Sequence, residues 1–402
     1  MVIVSPDLVL APATPSLSTV QPDLPPPHVV QTASELNAVV ERLSRQPRIA
    51  VDTEADSLFA YYYKVCLIQI SIPDDDYLID PLALTDLSPL GEIFADPAIE
   101  KVFHAAENDV LLLKRDHRFH FAHLFDTMAA ARILGWRNIG LAALLQEQLG
   151  VILDKRMQRT DWGHRPLTPA QLTYARLDAH YLLPLRDRLE AALRARGRWD
   201  EAQDAFAALP QIEYVEKPFD PDGFWRISGA RELNGRQLAI LRELYLCRER
   251  NAQRLDIPPF KVIGDQALLR LGAYPPQGPE GVHAVLNLPR QLRDRCALEL
   301  WEAIQRGRLA PTPTPPARNH NGRPDEASQA RYEALRGWRA RVAAERAVEP
   351  DVILTNETLM HIARENPRTV YDLARLNHLS PWKLQTYGPA LLAVLNDVKR
   401  GH

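Results

Sequence analysis

The chain has little that would staple, anchor or export it. Three cysteines, Cys66, Cys247 and Cys296, are spread over 402 residues. They lack metal-ligand spacing, and an odd count argues against a disulfide framework, so a reducing cytoplasm is expected. No apolar run approaches the ~18 residues that a membrane span needs. The first 27 residues contain no Lys or Arg. They also lack an apolar core segment, so they do not read as a signal peptide. No Gly-x-x-x-x-Gly-Lys-Ser/Thr loop is present, so no polymerase or helicase partner motif accompanies the rest. The net charge is only −3, which gives no whole-chain signature of nucleic-acid binding.

What is present is an ordinary globular balance, 46% hydrophobic and 25% charged. At this length two or three domains are expected. Residues 1–27, ending in Pro25-Pro26-Pro27, read as a disordered Pro-rich arm. Residues 28–210 read as one α/β domain. Residues 211–234 form a Pro-containing connector, 235–310 a first helical module, 311–327 a linker, and 328–402 a second helical module. The two modules resemble each other weakly but in matching order. Leu241-Arg242 through Pro259 and Val262-Ile263 to Leu268 parallels Leu335-Arg336 through Pro350 and Val352-Ile353 to Leu359. The offset drifts between about 90 and 94 residues, as in a repeated unit.

Within the α/β domain, Thr32 and Glu35 have capping-box spacing and open a helix to about Ser44. Strands are expected at Ile49–Asp52, Val65–Ile72 and Tyr77–Ile79, joined tightly enough to pair antiparallel. Another strand is expected at Lys101–His104, followed by a helix from Asn108. Leu124-Phe125 reads as a short strand before a helix capped by Asp126 or Thr127. Thr168-Pro169-Ala170-Gln171 is a complete helix start, predicted to run past Tyr181 to about Arg196.

The stretch Arg48–Leu58, RIAVDTEADSL, is central. Asp52 and Glu54 lie two apart on a buried strand, so both point to one face. Paired buried carboxylates repel and lose hydration, and a hard divalent cation relieves both costs. Either acid could also sit harmlessly at a solvated strand end. Two further acids stand out. Asp109 sits at a helix start in His104-Ala105-Ala106-Glu107-Asn108-Asp109. Asp178 lies four residues after Tyr174, on the same helical face.

In this order, Asp-x-Glu, His-Ala-x-x-x-Asp and Tyr-x-x-x-Asp resemble the motifs of the DEDD superfamily of 3′→5′ exonucleases. The tyrosine points to its Tyr-containing branch, and the match is nearest to the ribonuclease D family. Leu149-Gly150-Val151 and Lys155-x-x-Gln158-Arg159-Thr160-Asp161-Trp162-x-x-Arg165-Pro166-Leu167-Thr168 resemble the block that this family carries before its last motif. The helical modules are similar to the helicase-and-RNase-D C-terminal (HRDC) fold. The resemblance implies a ribonuclease H-like mixed-sheet exonuclease domain followed by two small all-α domains.

It also implies a mechanism. Two divalent ions, Mg²⁺ or Mn²⁺, about 4 Å apart would be held by Asp52, Glu54, Asp109 and Asp178. Asp52 would bridge them. Glu54 and Asp178 would complete the nucleophile-side ion, and Asp109 would act on the other through water. Tyr174 would orient the attacking water. Single-stranded RNA 3′ ends, including those of tRNA precursors and other small structured RNAs, would be shortened to 5′-mononucleotides in the cytoplasm. No dedicated protein partner is expected. A DNA 3′→5′ exonuclease of the same chemistry, or a non-catalytic nucleic-acid-binding scaffold, are the alternatives.

Candidate substrate residues are Leu58, Phe59 and Tyr62, whose side chains could stack on bases. His104, Lys155, Gln158 and Arg159 join them beside the acids. Arg165 is equally suited to a structural ion pair. Residues 226–310 carry 14 Lys and Arg against 9 Asp and Glu, a surplus of five that leaves −8 on the rest. The first helical module is therefore the expected accessory RNA grip, through Arg242, Arg248, Arg250, Arg254 and Lys261.

Overall fold

A computed structural model describes residues 24–286, 289–315 and 325–400. The expected Pro-rich arm lies, up to residue 23, outside the described residues, as does much of the linker (316–324).

A six-stranded mixed sheet in the order β1-β4-β3-β2-β5-β6 organises the first domain. Its elements run β1 His28–Val30, α1 Ala33–Leu43, β2 Arg48–Ala55, β3 Val65–Ser71, β4 Asp76–Ile79, α2 Ser88–Ala95, β5 Glu100–Phe103, α3 Glu107–His117 and β6 Leu124–Asp126. Then come α4 Thr127–Leu134, α5 Leu141–Leu149, α6 Pro169–His180, α7 Leu182–Ala195 and α8 Trp199–Ala208. The strands β2, β3 and β4 pair antiparallel, as the short connections require, while β5 and β6 add in parallel to β2.

Alternation along the strands separates two cores. Ile49, Val51, Ile68, Ile70 and Phe103 pack under α1, α2 and α3. Ala50, Val102 and Phe125 face the opposite layer, with Leu144, Leu182 and Leu189. Asp52 and Glu54 continue the Ala50 side, so the acids emerge where β2 leaves that second core.

Two elements differ from the reading of the sequence. β1 pairs with β4 in parallel, from His28 opposite Tyr77 to Val30 opposite Ile79. Three residues at the end of a Pro-rich stretch carry no strand period of their own. The helix begun at Thr168 ends at His180, and a separate helix starts at Leu182. Pro184 cannot donate to the carbonyl four residues back, and it fits only in a helix's first turn.

The first helical module comprises α9 Gly235–Leu255, α10 Pro259–Val262, α11 Asp265–Ala273, α12 Pro279–His283 and α13 Arg290–Leu309. Residues 287–288, between α12 and α13, lie outside the described residues. The second module comprises α14 Glu326–Arg346, α15 Pro350–Ile353, α16 Asn356–Glu365, α17 Val370–Arg375 and α18 Pro381–Arg400. Each has its own apolar core.

The drifting offset of the sequence repeat becomes a constant 91 residues. Buried Leu244 corresponds to buried Leu335, so the pairing of Leu241-Arg242 with Leu335-Arg336 was three residues out of register, almost one helical turn. Arg248 donates to the Ile263 carbonyl (3.2 Å) and the Asp265 carboxylate (2.6 Å). Arg339 donates to the Leu354 carbonyl (2.6 Å) and the Asn356 side chain (2.7 Å). Both helices end in a left-handed residue, Asp256 or Ala347.

The modules meet the first domain at different places. The first reaches the turn after β2. Tyr61 donates its hydroxyl to Glu249, Gln253 donates to that hydroxyl at 3.0 Å, and the Tyr62 amide donates to Asp256 at 2.9 Å. The second rests on α4 and α8. Arg346 pairs with buried Glu201, and Asp204 accepts from Ser380 and the Trp382 amide. At Gly135, with φ +76°, an added Cβ would lie 2.0 Å from the Ala347 carbonyl oxygen, so only glycine fits this contact.

Candidate active site

Three elements bring the acids together. β2 supplies Asp52 and Glu54, and α6 supplies Asp178. Carboxylate oxygens of these three lie within 4.8 Å of one another. Asp109 arrives from the first turn of α3, on the other side of β2. There the hydroxyl of Thr53 donates to its carboxylate. Thr53 points away from Asp52 and Glu54 because strand side chains alternate, so one tripeptide serves both sides of the site.

The approach of α3 is fixed by Asp126. Its carboxylate caps α4 through the amides of Met128 and Ala129. It also accepts from the amides of Ala105 (3.1 Å) and Ala106 (2.9 Å). Ala105 has φ +60°, a conformation that these bonds hold in place just before α3. α6 is fixed by its capping box. Thr168 and Gln171 satisfy each other, and the Gln171 amide group also reaches Thr160 and the Asp161 carbonyl. Arg165 forks onto Asp80 at 2.7 Å and also donates to the Cys66 and Trp162 carbonyls, so its role is structural.

Burial and mutual repulsion govern the charges. Asp52 is held well above the usual carboxylate range, first by burial and then by Asp109, Asp178 and Glu54. Burial, then Asp178 and Asp109, push Glu54 to about 9. Burial raises Asp109 to about 7 against the opposing Thr53 hydrogen bond. Burial raises Asp178 to about 6, opposed by the Tyr174 hydroxyl and by Lys155. Burial also raises the Tyr174 phenol, with Asp178 and Glu54 adding to it. Protein groups alone therefore disfavour four ionised carboxylates here. A set of only hard oxygen donors that repel one another fits divalent cations.

A cleft of about 350 Å³ opens over this cluster. Asp52, Glu54, Tyr174, Asp178, His104, Lys155 and Gln158 line it. His104 is partly buried, and burial lowers its pKa below the usual histidine value. Its Nδ1 lies 2.9 Å from the Thr127 hydroxyl, which itself donates to the Phe103 carbonyl. Nδ1 must then carry the proton, leaving Nε2 as an acceptor. Arg159 is exposed in the same loop as Lys155 and Gln158 but does not line the cleft. A further hollow of about 390 Å³, lined by Arg156, Met157 and Thr173, shares Leu153, Tyr174 and Asp178 with the cleft.

The outer candidates separate. Leu58 and Tyr62 are exposed, whereas Phe59 lies under the Lys261 ammonium, 3.7 Å from its ring centroid. Arg250 is exposed and Arg242 half-exposed. Arg254 is engaged with Asn251 and Glu299. Arg248 is a correction. It is 7% exposed and braces the module from inside, so it presents no guanidinium to RNA.

Sequence reasoning missed Thr53 and Gln69. Thr53 had a signal, a hydroxyl between two site acids. Gln69 is the one amide in the apolar strand VCLIQIS, and it stands opposite Asp52 in the β2–β3 register. It is buried, and neither of its amide atoms meets a partner among the described residues.

Comparison with known proteins identifies the family and the two kinds of domain. Residues 27–194 match the 3′-5′ exonuclease family. Residues 237–304 and 328–395 each match the HRDC domain. A Ribonuclease D of Gluconacetobacter diazotrophicus is 30% identical over 373 residues, covering 92% of this chain and 93% of that protein. The structure of Escherichia coli RNase D, an exoribonuclease involved in structured RNA processing, is 27% identical, with a TM-score of 0.60 over 92% of this chain and 99% of that one. The catalytic core of RRP6 from Trypanosoma brucei is 28% identical, with a TM-score of 0.66 over 74% of this chain and 83% of that one.

Proposed function

Because the chain belongs to the ribonuclease D family and is a 3′-5′ exoribonuclease that uses divalent metal, we propose that it uses two Mg²⁺ or Mn²⁺ ions to shorten single-stranded RNA 3′ ends to 5′-mononucleotides. tRNA precursors and other small structured RNAs are the proposed substrates. The convergence of Asp52, Glu54 and Asp178 within 4.8 Å, with Asp109 beside them, carries this reading. We divide the chain accordingly into an exonuclease domain over 28–210 and HRDC-like modules over 235–310 and 328–402. Its three cysteines are all free and buried, which supports a reducing cytoplasm as the working compartment.

Asp52, Glu54, Asp109 and Asp178 are the proposed ligands. Bound divalent ions supply Lewis-acid activation of water and neutralise charge on the phosphate. The chain's own groups do the rest. The Tyr174 hydroxyl, kept protonated by burial and by two neighbouring carboxylates, donates rather than accepts. It therefore orients the nucleophile instead of deprotonating it. Lys155 brings positive charge toward the acids and the scissile phosphate, with Gln158 beside it and Arg159 further along the loop. His104 presents Nε2 as an acceptor suited to a ribose 2′-hydroxyl, the group that separates RNA from DNA.

Matched 5′-labelled and 3′-labelled single strands of RNA and DNA, incubated with Mg²⁺ or Mn²⁺, test this. Stepwise shortening of RNA from its 3′ end, lost in chelator, is the expected result. Preferential DNA shortening would sink the RNA assignment, and His104→Ala should narrow the RNA-over-DNA ratio if Nε2 reads the ribose.

A further inference from the structure

The turn after β2 is shared between the catalytic domain and the first helical module. Residues 58–62 begin four positions after Glu54, just past the end of the strand that carries Asp52 and Glu54. Tyr61 is packed against the module's apolar core and bonded to Glu249 and Gln253. The Tyr62 amide is held by Asp256, and Lys261 lies on the Phe59 ring. These contacts fix the start of α10 beside the turn after β2.

Three large apolar side chains on the joined surfaces stay open to solvent. Leu58 is 42% exposed, Tyr62 63% and Phe260 55%. Phe260 is the neighbour of Lys261 in α10. The strip therefore sets apolar faces beside a cation, at the end of the strand that carries two of the site acids. A protein-binding patch gathers its apolar groups into one contiguous core. A single-strand track instead interleaves stacking faces with positive charge.

We propose that Phe260 and Lys261 form an upstream subsite, in which Phe260 stacks with a base behind the 3′-terminal nucleotides and Lys261 meets the intervening phosphate. Tyr62 bridges this subsite to the cleft. The inference rests on the exoribonuclease reading and extends it by placing part of the substrate groove on the helical module. Tyr61, partly buried in the joint with its hydroxyl bonded to Glu249, is a positioning residue and not a stacking one.

The test is steady-state hydrolysis of 5′-labelled oligoadenylates of two and ten nucleotides by full-length wild type, Phe260→Ala, Phe260→Trp and Tyr371→Ala. Tyr371 is an exposed tyrosine on α17 of the second module and serves as the control. Phe260→Ala should raise KM for the ten-nucleotide strand about tenfold, within the range of one lost base stack. Its kcat, and its KM for the dinucleotide, should not change. Phe260→Trp should restore the wild-type KM, and Tyr371→Ala should match wild type. A KM for the longer strand within twofold of wild type in Phe260→Ala overturns the proposal and leaves the strip to a protein partner. An equal rise on both lengths also overturns it, since Phe260 would then act on the site and not upstream. Wild-type hydrolysis of the dinucleotide reports separately on the exoribonuclease reading.

Discussion

In each helical module an arginine of the long first helix turns inward and ties down the chain fifteen residues later: Arg248 to Ile263, Arg339 to Leu354. In each, the end of that helix and the short helix after it face the catalytic domain. The contacts made from those equivalent positions differ. Asp256 accepts from the Tyr62 amide, whereas Ala347 presses its carbonyl against Gly135. Lys261 covers Phe59, whereas Val352 is buried in the catalytic domain's second core. The first joint sits on the turn after β2, the strand that carries Asp52 and Glu54. The second lies on α4 and α8, combines the apolar contact of Val352 with the Arg346–Glu201 pair and the Asp204 bonds, and supplies nothing to the acid cluster. One fold, copied at a fixed spacing, thus serves as a piece of the substrate groove in one place and as a buttress in the other.

That contrast requires the chemistry itself to depend on neither module. Asp52→Asn should cut RNA hydrolysis by on the order of a thousandfold, because several kcal/mol of charge stabilisation are lost. Both joints should survive, as a wild-type far-ultraviolet circular dichroism spectrum would show. Residual activity within tenfold of wild type would place the catalytic carboxylates elsewhere.

The acids should also set the pH response of stability. Glu54, Asp109 and Asp178 have folded-state pKa values of about 9, 7 and 6, raised above their unfolded values. Without divalent ions the folded protein then holds more protons than the unfolded chain, so stability falls as pH rises from about 4 through 9. Mn²⁺ should restore it most at the alkaline end. Thermal midpoints in chelator at pH 6 and 9, with and without added Mn²⁺, check this; a metal-free midpoint that climbs with pH contradicts it.

Breaking the buttress should cost stability and little else. Glu201 is 2% exposed and its partner Arg346 20%, so Glu201→Gln leaves a largely buried guanidinium unpaired, at about 3 kcal/mol. Calorimetry would show a lower midpoint. The internal struts should be equivalent. Arg248→Ala and Arg339→Ala should each lose about 2 kcal/mol, confined to the module that carries the change. Hydrogen exchange resolves the two, and an Arg248→Ala that weakens RNA binding while sparing the module's amide protection would restore Arg248 as an RNA contact.

The sequence revealed what depends on local pattern. Apolar Ile49–Val51 followed by Asp52 and Glu54 announced the strand and its facing acids, and Thr168-Pro169-Ala170-Gln171 announced the start of α6. Features created by distant partners stayed hidden. β1 is a strand only because β4 lies beside it. Thr53 matters because α3 brings Asp109 to its hydroxyl. Arg248 and Arg250 look alike along an arginine-rich helix, and only the folded module decides which turns inward. The constant spacing of Arg248 and Arg339 was the available clue, obscured by matching two similar Leu-Arg dipeptides that lie nearly one helical turn out of register.

The smallest predicted effect is also the most telling. Tyr61→Phe removes the hydroxyl that Glu249 and Gln253 share, worth about 1 kcal/mol. Midpoint and KM for a ten-nucleotide RNA should be measured together in Tyr61→Phe and Glu201→Gln. A groove joint and a buttress predict opposite outcomes: Tyr61→Phe raises KM by about fivefold with little change in midpoint, and Glu201→Gln lowers the midpoint with KM unchanged. If Glu201→Gln raises KM as much as Tyr61→Phe does, or Tyr61→Phe leaves KM at the wild-type value, the division of labour between the two modules is wrong.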